Sequence, residues 1–123
     1  MKILLVDDNK AITDAVSFYC ESEQINCDTI TDCKSGLSAI RKGHYDLVLL
    51  DVAMPEFTGL DIIKSLKADG LLEKMNIVVF TASSNHKMFE EITKSGVKEV
   101  LKKPCSIYDL GELIKRYSPA NST

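Results

Sequence analysis

The sequence predicts an α/β fold, a doubly wound five-stranded parallel sheet with helices on both faces. Short apolar runs alternate strictly with segments whose apolar residues recur at helical spacing, giving five strand–helix units, and such alternation builds a parallel sheet covered on both sides. The runs at 2–6, 47–50 and 76–80 are apolar after the leading Lys2 and Asn76, as interior strands are, whereas 27–30 and 98–102 are amphipathic, as edge strands are. Three interior and two edge strands match the order 2-1-3-4-5, whose switch point lies between the first and third strands and whose ligands bind at the strands' carboxyl ends.

Residues 2–6 (K-I-L-L-V) form the first strand, and Asp7, Asp8 and Asn9 end it with side chains able to cap a helix start. Ile12, Ala15, Val16, Tyr19 and Cys20 give the first helix one apolar stripe. Residues 27–30 alternate apolar and polar, a short strand with a wet side. A second helix over roughly 35–42 buries Leu37 and Ile40 and stops at Gly43, a natural C-cap. The four aliphatic residues Leu47 to Leu50 run straight into Asp51, and a run this short, bounded by breakers, fits a strand buried on both faces. Thr58-Gly59-Leu60-Asp61 has the form of a capping box. It opens a third helix with Leu60, Ile63 and Leu66 inward, ending near Gly70.

Residues 76–80 are the fourth strand, terminated by Thr81-Ala82-Ser83-Ser84. A fourth helix from about residue 85 carries Met88, Phe89 and Ile92 and ends at Gly96. Residues 98–102 make the fifth strand, with only Val100 and Leu101 strongly apolar, and Lys103-Pro104 closes it. Ser106-Ile107-Tyr108-Asp109 is a second capping box, starting a last helix with Ile107, Leu110, Leu113, Ile114 and Tyr117 on one face. Residues 1–117 read as one domain and 118–123 as a short tail. With nothing beyond that tail, the expectation is a stand-alone unit that acts by touching another protein.

Composition narrows the function. The 123 residues make one domain with a full core, and 45% hydrophobic with 27% charged residues is ordinary for a globular protein. A net charge of −3 argues against a nucleic-acid partner, and the basic cluster Lys98, Lys102, Lys103 is small and interrupted by Glu99. No apolar run approaches the ~20 residues of a membrane span and no signal-peptide pattern opens the chain, so the expected location is the cytoplasm, away from membranes. Cys20, Cys27, Cys33 and Cys105 form no C-x-x-C pair and neither His44 nor His86 falls at zinc spacing. Reduced, partly buried thiols are therefore expected.

In the predicted strand order the carboxyl ends of strands one, three, four and five are neighbours. They bring Asp7 and Asp8, Asp51, Thr81 and Lys103 to one rim. Singly, each of these is an ordinary cap or turn residue. Together they are three carboxylates, a hydroxyl and an ammonium at the ligand-facing edge. Carboxylates gathered this way call for a cation, and an all-oxygen donor set without histidine or thiolate favours Mg²⁺. A carboxylate can also be the nucleophile in phosphoryl transfer, giving an aspartyl phosphate. That chemistry needs mainly positioning and neutralisation of oxygen charge.

These features resemble a response-regulator receiver domain of two-component signalling over essentially residues 1–117. The resemblance rests on the acidic pair Asp7-Asp8, the D-x-x-M-P-x-x-x-G segment from Asp51 to Gly59, Thr81-Ala82, and Lys103-Pro104. It implies the same 2-1-3-4-5 order and assigns roles. Asp51 would be the phosphoacceptor, served by a sensor histidine kinase or a phosphotransfer protein. Asp8, with Asp7 beside it, Asp51 and the backbone carbonyl of Ala53 would hold Mg²⁺. Thr81 would hydrogen-bond one phosphoryl oxygen and Lys103 would pair with another. The Lys103-Pro104 bond would be cis, as is usual in the family. The modified protein would meet its downstream target through the face of helix four, strand five and helix five. It would assist its own phosphorylation without being an enzyme in the usual sense.

Where many members carry an aromatic residue three before the lysine, this chain has Val100, so the expectation is that a smaller rearrangement or a neighbouring side chain would take that part. Ala53 and Ser83 are small where many receivers have larger polar groups. Both a chemotaxis-type messenger and a phosphorelay intermediate fit. A flavodoxin-like FMN protein shares the topology, but Asp7-Asp8 would repel a phosphate lacking a metal. An aspartyl phosphatase usually has a second acid two residues after the nucleophile, where Ala53 stands. A degenerate receiver used only for docking ranks last, since every chemical residue is present.

Overall fold

A strand of four consecutive aliphatic residues has to be covered on both sides, and the computed structural model of the chain shows how this is done. It describes residues 1–52, 59–81, 86–102 and 106–118, with the backbone alone for Thr81, His86 and Met88. The strands are β1 (Lys2–Val6), β2 (Asn26–Ile30), β3 (Leu47–Asp51), β4 (Ile77–Thr81) and β5 (Glu99–Lys102). The helices are α1 (Lys10–Ser22), α2 (Cys33–Lys42), α3 (Gly59–Ala68), α4 (His86–Ser95) and α5 (Ile107–Arg116). The sheet order is β2-β1-β3-β4-β5 and every pairing is parallel. The predicted fold class, order and edge assignment hold.

Side chains alternate across the pleat, so the sheet divides the core into two halves. Leu4, Val6, Val48, Leu50, Ile77 and Val79 meet Ile40 of α2, Ile62, Ile63 and Leu66 of α3 and Ile92 of α4. Ile3, Leu5, Leu47, Leu49, Val78 and Phe80 meet Val16 and Cys20 of α1 and Leu110, Leu113 and Ile114 of α5. Each such aliphatic side chain withdrawn from water contributes about 1.5–3 kcal/mol. In β5, Val100 packs into the first half and Leu101 into the second.

Caps set the helix entries. The Asn9 side chain accepts from the Ala11 and Ile12 amides at 3.0 and 3.4 Å, and Asp32 accepts from the Ser35 amide at 2.8 Å. Asp32 therefore starts α2 at Cys33, two residues before the sequence places it. Ser106 and Asp109 form the predicted reciprocal box, whereas Thr58 of the first predicted box lies outside the described residues. Gly43 is the C-cap of α2, but its φ of −91° is open to any residue. A Cβ there would lie 2.5 Å from Tyr45 Cε2, so the ring explains the glycine.

Two stripe assignments need correction. Ala15 is exposed, because the face α1 turns inward is centred on Thr13, Val16 and Cys20. Ile107 is 43% exposed, since the buried part of α5 begins at Leu110. Ile62, absent from the predicted stripe, is fully buried, and a 3-10 turn at Leu72–Lys74 seats Leu72 in the core between α3 and β4.

Two tyrosines fasten the sheet edges. Tyr45 Oη donates to Asp28 at 2.8 Å, and Tyr117 Oη donates to Glu99 at 2.7 Å. Burial first, and then these bonds to carboxylates, push both phenols up to about 12. A folded value above the unfolded value near 10 gives stability that is complete below pH 10 and lost as pH rises towards 12. The double variant Tyr45→Phe, Tyr117→Phe is accordingly expected to lose less of its melting temperature between pH 10 and 12 than the native chain, as read by circular dichroism.

Candidate functional site

The crevice between β1 and β3 is where the strand order reverses. Val6 lies opposite Leu50 in register, so the next residues along, Asp7 and Asp51, leave the sheet side by side. Asp7 is fully buried, Asp51 is 4% exposed, and Asp8 is exposed. One carboxylate oxygen from each of the three lies within 4.8 Å of the others. The Asn9 amide donates to Asp7 Oδ1 at 2.9 Å and the Asp7 amide donates to the Ile30 carbonyl at 3.0 Å. Asp7 is thus fixed by the turn that also caps α1.

Two unit negative charges at this separation repel by about 3.5 kcal/mol at an effective dielectric near 20. Such an arrangement is stabilised by a bound cation, and all-carboxylate donors select a hard, oxygen-seeking divalent ion. The sulfur in the same field does not alter that choice. Burial first, then the negative charge of Asp51, pushes the Cys33 thiol up to about 11, so it stays protonated at neutral pH and offers no thiolate to a soft metal. The donor set fits Mg²⁺.

The remaining predicted residues are placed by topology or not described. Thr81 is the last residue of β4, one step beyond the Asp51–Phe80 pair, and is itself in register with Lys102 of β5. The strand ends of β3, β4 and β5 therefore stand in a row beside the acidic cluster. Ala53, Ser83, Lys103 and Pro104, with the expected cis bond, lie outside the described residues.

Cys33 was not legible as a rim residue, and the charges of Asp61 and Asp32 reach it as well. The signal lay in the topology: residues just after β2 open on the same edge as those after β1 and β3. On the β5 side, Lys102 Nζ lies 5.6 Å from the centroid of the Phe89 ring, and Glu99 takes Arg116 at 3.1 Å as well as Tyr117.

The model of the family described as response regulator receiver domain matches residues 3–115. The aerobic respiration control sensor protein ArcB of Escherichia coli is 31% identical over 117 residues, which are 95% of this chain and 15% of that protein. Chemotaxis protein CheY-3 of Vibrio cholerae is 29% identical over 119 residues, 94% of this chain and 90% of that protein. The chain thus spans a small part of the first relative and most of the second. Among solved structures, response regulator protein TrrA of Thermotoga maritima, in complex with Mg(2+)-BeF, superposes with a TM-score of 0.79 at 26% identity, covering 95% of this chain and 98% of that one.

Proposed function

We propose, on the footing that the chain belongs to the response regulator receiver domain family, that Asp51 accepts a phosphoryl group from the phosphohistidine of a sensor histidine kinase or phosphotransfer protein, and that the modified chain signals by binding another protein. The observation that carries this reading is the convergence of Asp7, Asp8 and Asp51 at the strand ends, with Asp51 almost fully buried. The Mg²⁺-bound TrrA structure supports the choice of metal. Asp7, Asp8, Asp51 and the Ala53 carbonyl are the ligands in this reading, and bound Mg²⁺ supplies neutralisation of the oxygen charge that gathers during transfer.

The protein's own groups do the rest. A carboxylate oxygen of Asp51 attacks phosphorus, so an O–P bond forms while the N–P bond to histidine breaks and the imidazole takes a proton. Asp7, held by the Asn9 amide, keeps the acidic cluster in place. The Thr81 hydroxyl donates to one phosphoryl oxygen and the Lys103 ammonium pairs with another.

The product carries about −1.5 to −2 charge by analogy with other phosphoresidues, in place of the single carboxylate charge, and its oxygens draw Thr81 and Lys103 inward. The loops after β4 and β5 shift with them and bias the α4–β5–α5 face between two states. With Val100 small, Phe89 of α4, packed against Lys102 of β5, is the aromatic group placed to feel that shift. Amide exchange in α4 is expected to change on adding a beryllofluoride phosphate mimic with Mg²⁺. Unchanged exchange there would reject this readout. The reading places the chain in the cytoplasm, where kinase and target meet it.

Metal linkage tests the site. Mg²⁺ at one hundred times its dissociation constant adds about 2.7 kcal/mol to the unfolding free energy, so the melting temperature should rise on titration. Asp8→Asn removes one of the crowded charges, and its metal-free form is expected to melt above the metal-free native chain while responding far less to Mg²⁺. Uptake of labelled phosphoryl from acetyl phosphate should be lost with a chelator. Equal uptake with and without metal would overturn the proposal.

A further inference from the structure

On the half of the core away from Cys33, two thiols meet at the other end of the sheet from the acidic rim. Cys20 is fully buried in the last turn of α1. Cys27 is the second residue of β2, opposite Ile3, half-buried and packed on the same cluster as Cys20. Their side chains are hydrogen-bonded to each other. The turn between them is closed by the Ile25 amide donating to the Cys20 carbonyl at 2.7 Å, with Gln24 in the left-handed region at φ +59°. The sulfurs are thus set against each other by a helix end and an edge strand. Cys33 packs on the opposite face of the sheet.

We infer that Cys20 and Cys27 form a modification site, a dithiol that a peroxide closes to an intramolecular disulfide. The pair behaves as one acid. The hydrogen bond between the sulfurs holds Cys20 below the usual thiol range, and the shared proton, with burial, holds Cys27 well above it. Once one proton is lost, the other is shared along the hydrogen bond between the two sulfurs. Cys20 is fully buried, whereas Cys27 is partly exposed. With the retained proton passed along the hydrogen bond to Cys20, the Cys27 sulfur attacks a peroxide oxygen as the thiolate: an S–O bond forms, the O–O bond breaks, and the departing hydroxide takes up the proton first lost, giving water. Cys20 sulfur then attacks Cys27 sulfur. The S–S bond forms, the S–O bond breaks, and hydroxide leaves as a second water with the retained proton. Both sulfurs are oxidised by the one peroxide, and a dithiol reductant reverses the reaction.

The site is about four residues down β1 from Asp7, roughly 13 Å at strand rise, so it does not draw on the acidic cluster. The test uses the full chain and hydrogen peroxide as probe. Intact mass is expected to fall by two hydrogens, peptide mapping to join the Cys20 and Cys27 peptides, alkylation of both in denaturant to be lost, and dithiothreitol to restore it. Cys27→Ser, at the half-exposed position, should abolish the cross-link, and Cys33→Ser with Cys105→Ser should retain it. Two thiols that stay alkylatable, sulfinic acid on either without a cross-link, or a disulfide through Cys33 or Cys105 would overturn the inference.

Discussion

Asp51→Asn is expected to take up no phosphoryl group, from acetyl phosphate or from a phosphohistidine protein, while remaining folded. The side chain is 4% exposed at the end of an otherwise fully buried strand, and asparagine matches its shape, so the backbone has no reason to move. The chemistry changes completely. The amide oxygen is a poor nucleophile, and the phosphoaspartate it should become cannot form. The substitution also removes one charge from a trio within 4.8 Å, which lowers mutual repulsion. Loss of labelling with a preserved cooperative melt therefore separates removal of the acceptor from unfolding. Labelling that persisted at the native rate would show that another residue is the acceptor.

Gly59→Ala is expected to damage stability and site together. A Cβ on Gly59 would stand 2.5 Å from the Asp51 carbonyl oxygen and 2.7 Å from Val52 Cα. Both are backbone atoms, so no rotamer change relieves the clash, and either α3 or the end of β3 has to shift. Overpacking of this kind costs about 1–3 kcal/mol, or a melting-temperature fall of roughly 4–15 °C for a chain of this size. Because the displaced oxygen belongs to Asp51, phosphoryl uptake should fall as well. Gly70 gives the contrast: nothing lies within 4 Å of its Cβ position and only its φ of +71° opposes a side chain. Gly70→Ala should cost about 1–2 kcal/mol and leave uptake alone. A Gly59→Ala chain that melted and labelled like the native one would refute the close approach.

The motif segment from Asp51 to Gly59 shows what sequence could and could not convey. Its glycine was visible as a position. The reason for it, the carbonyl of Asp51 itself, is a contact between two elements that no local pattern contains. The sheet was readable because burial on two faces leaves an unbroken aliphatic run, and Leu47 to Leu50 has little else to be. The order followed from Cys27–Ile30 and Lys98–Lys102 being too polar for the interior, and Asp7 and Asp51 then fell together from strand ends alone. Helix faces were harder. Ala15 and Ile107 are apolar and correctly spaced yet exposed, because a stripe read from spacing can be rotated by a residue before packing decides. Cys33 at the rim and Cys20 against Cys27 were hidden for the same reason as Gly59: each depends on which strand a helix end returns to.

The most direct measurement of the central claim is the location of the phosphoryl group itself. Native chain treated with acetyl phosphate and Mg²⁺, reduced with borohydride to trap acyl phosphates, and mapped by mass spectrometry should carry the modification on Asp51, with Asp7 and Asp8 unmodified and nothing trapped when the metal is chelated. Modification of Asp7 or Asp8, or of Asp51 equally well without metal, would contradict the account.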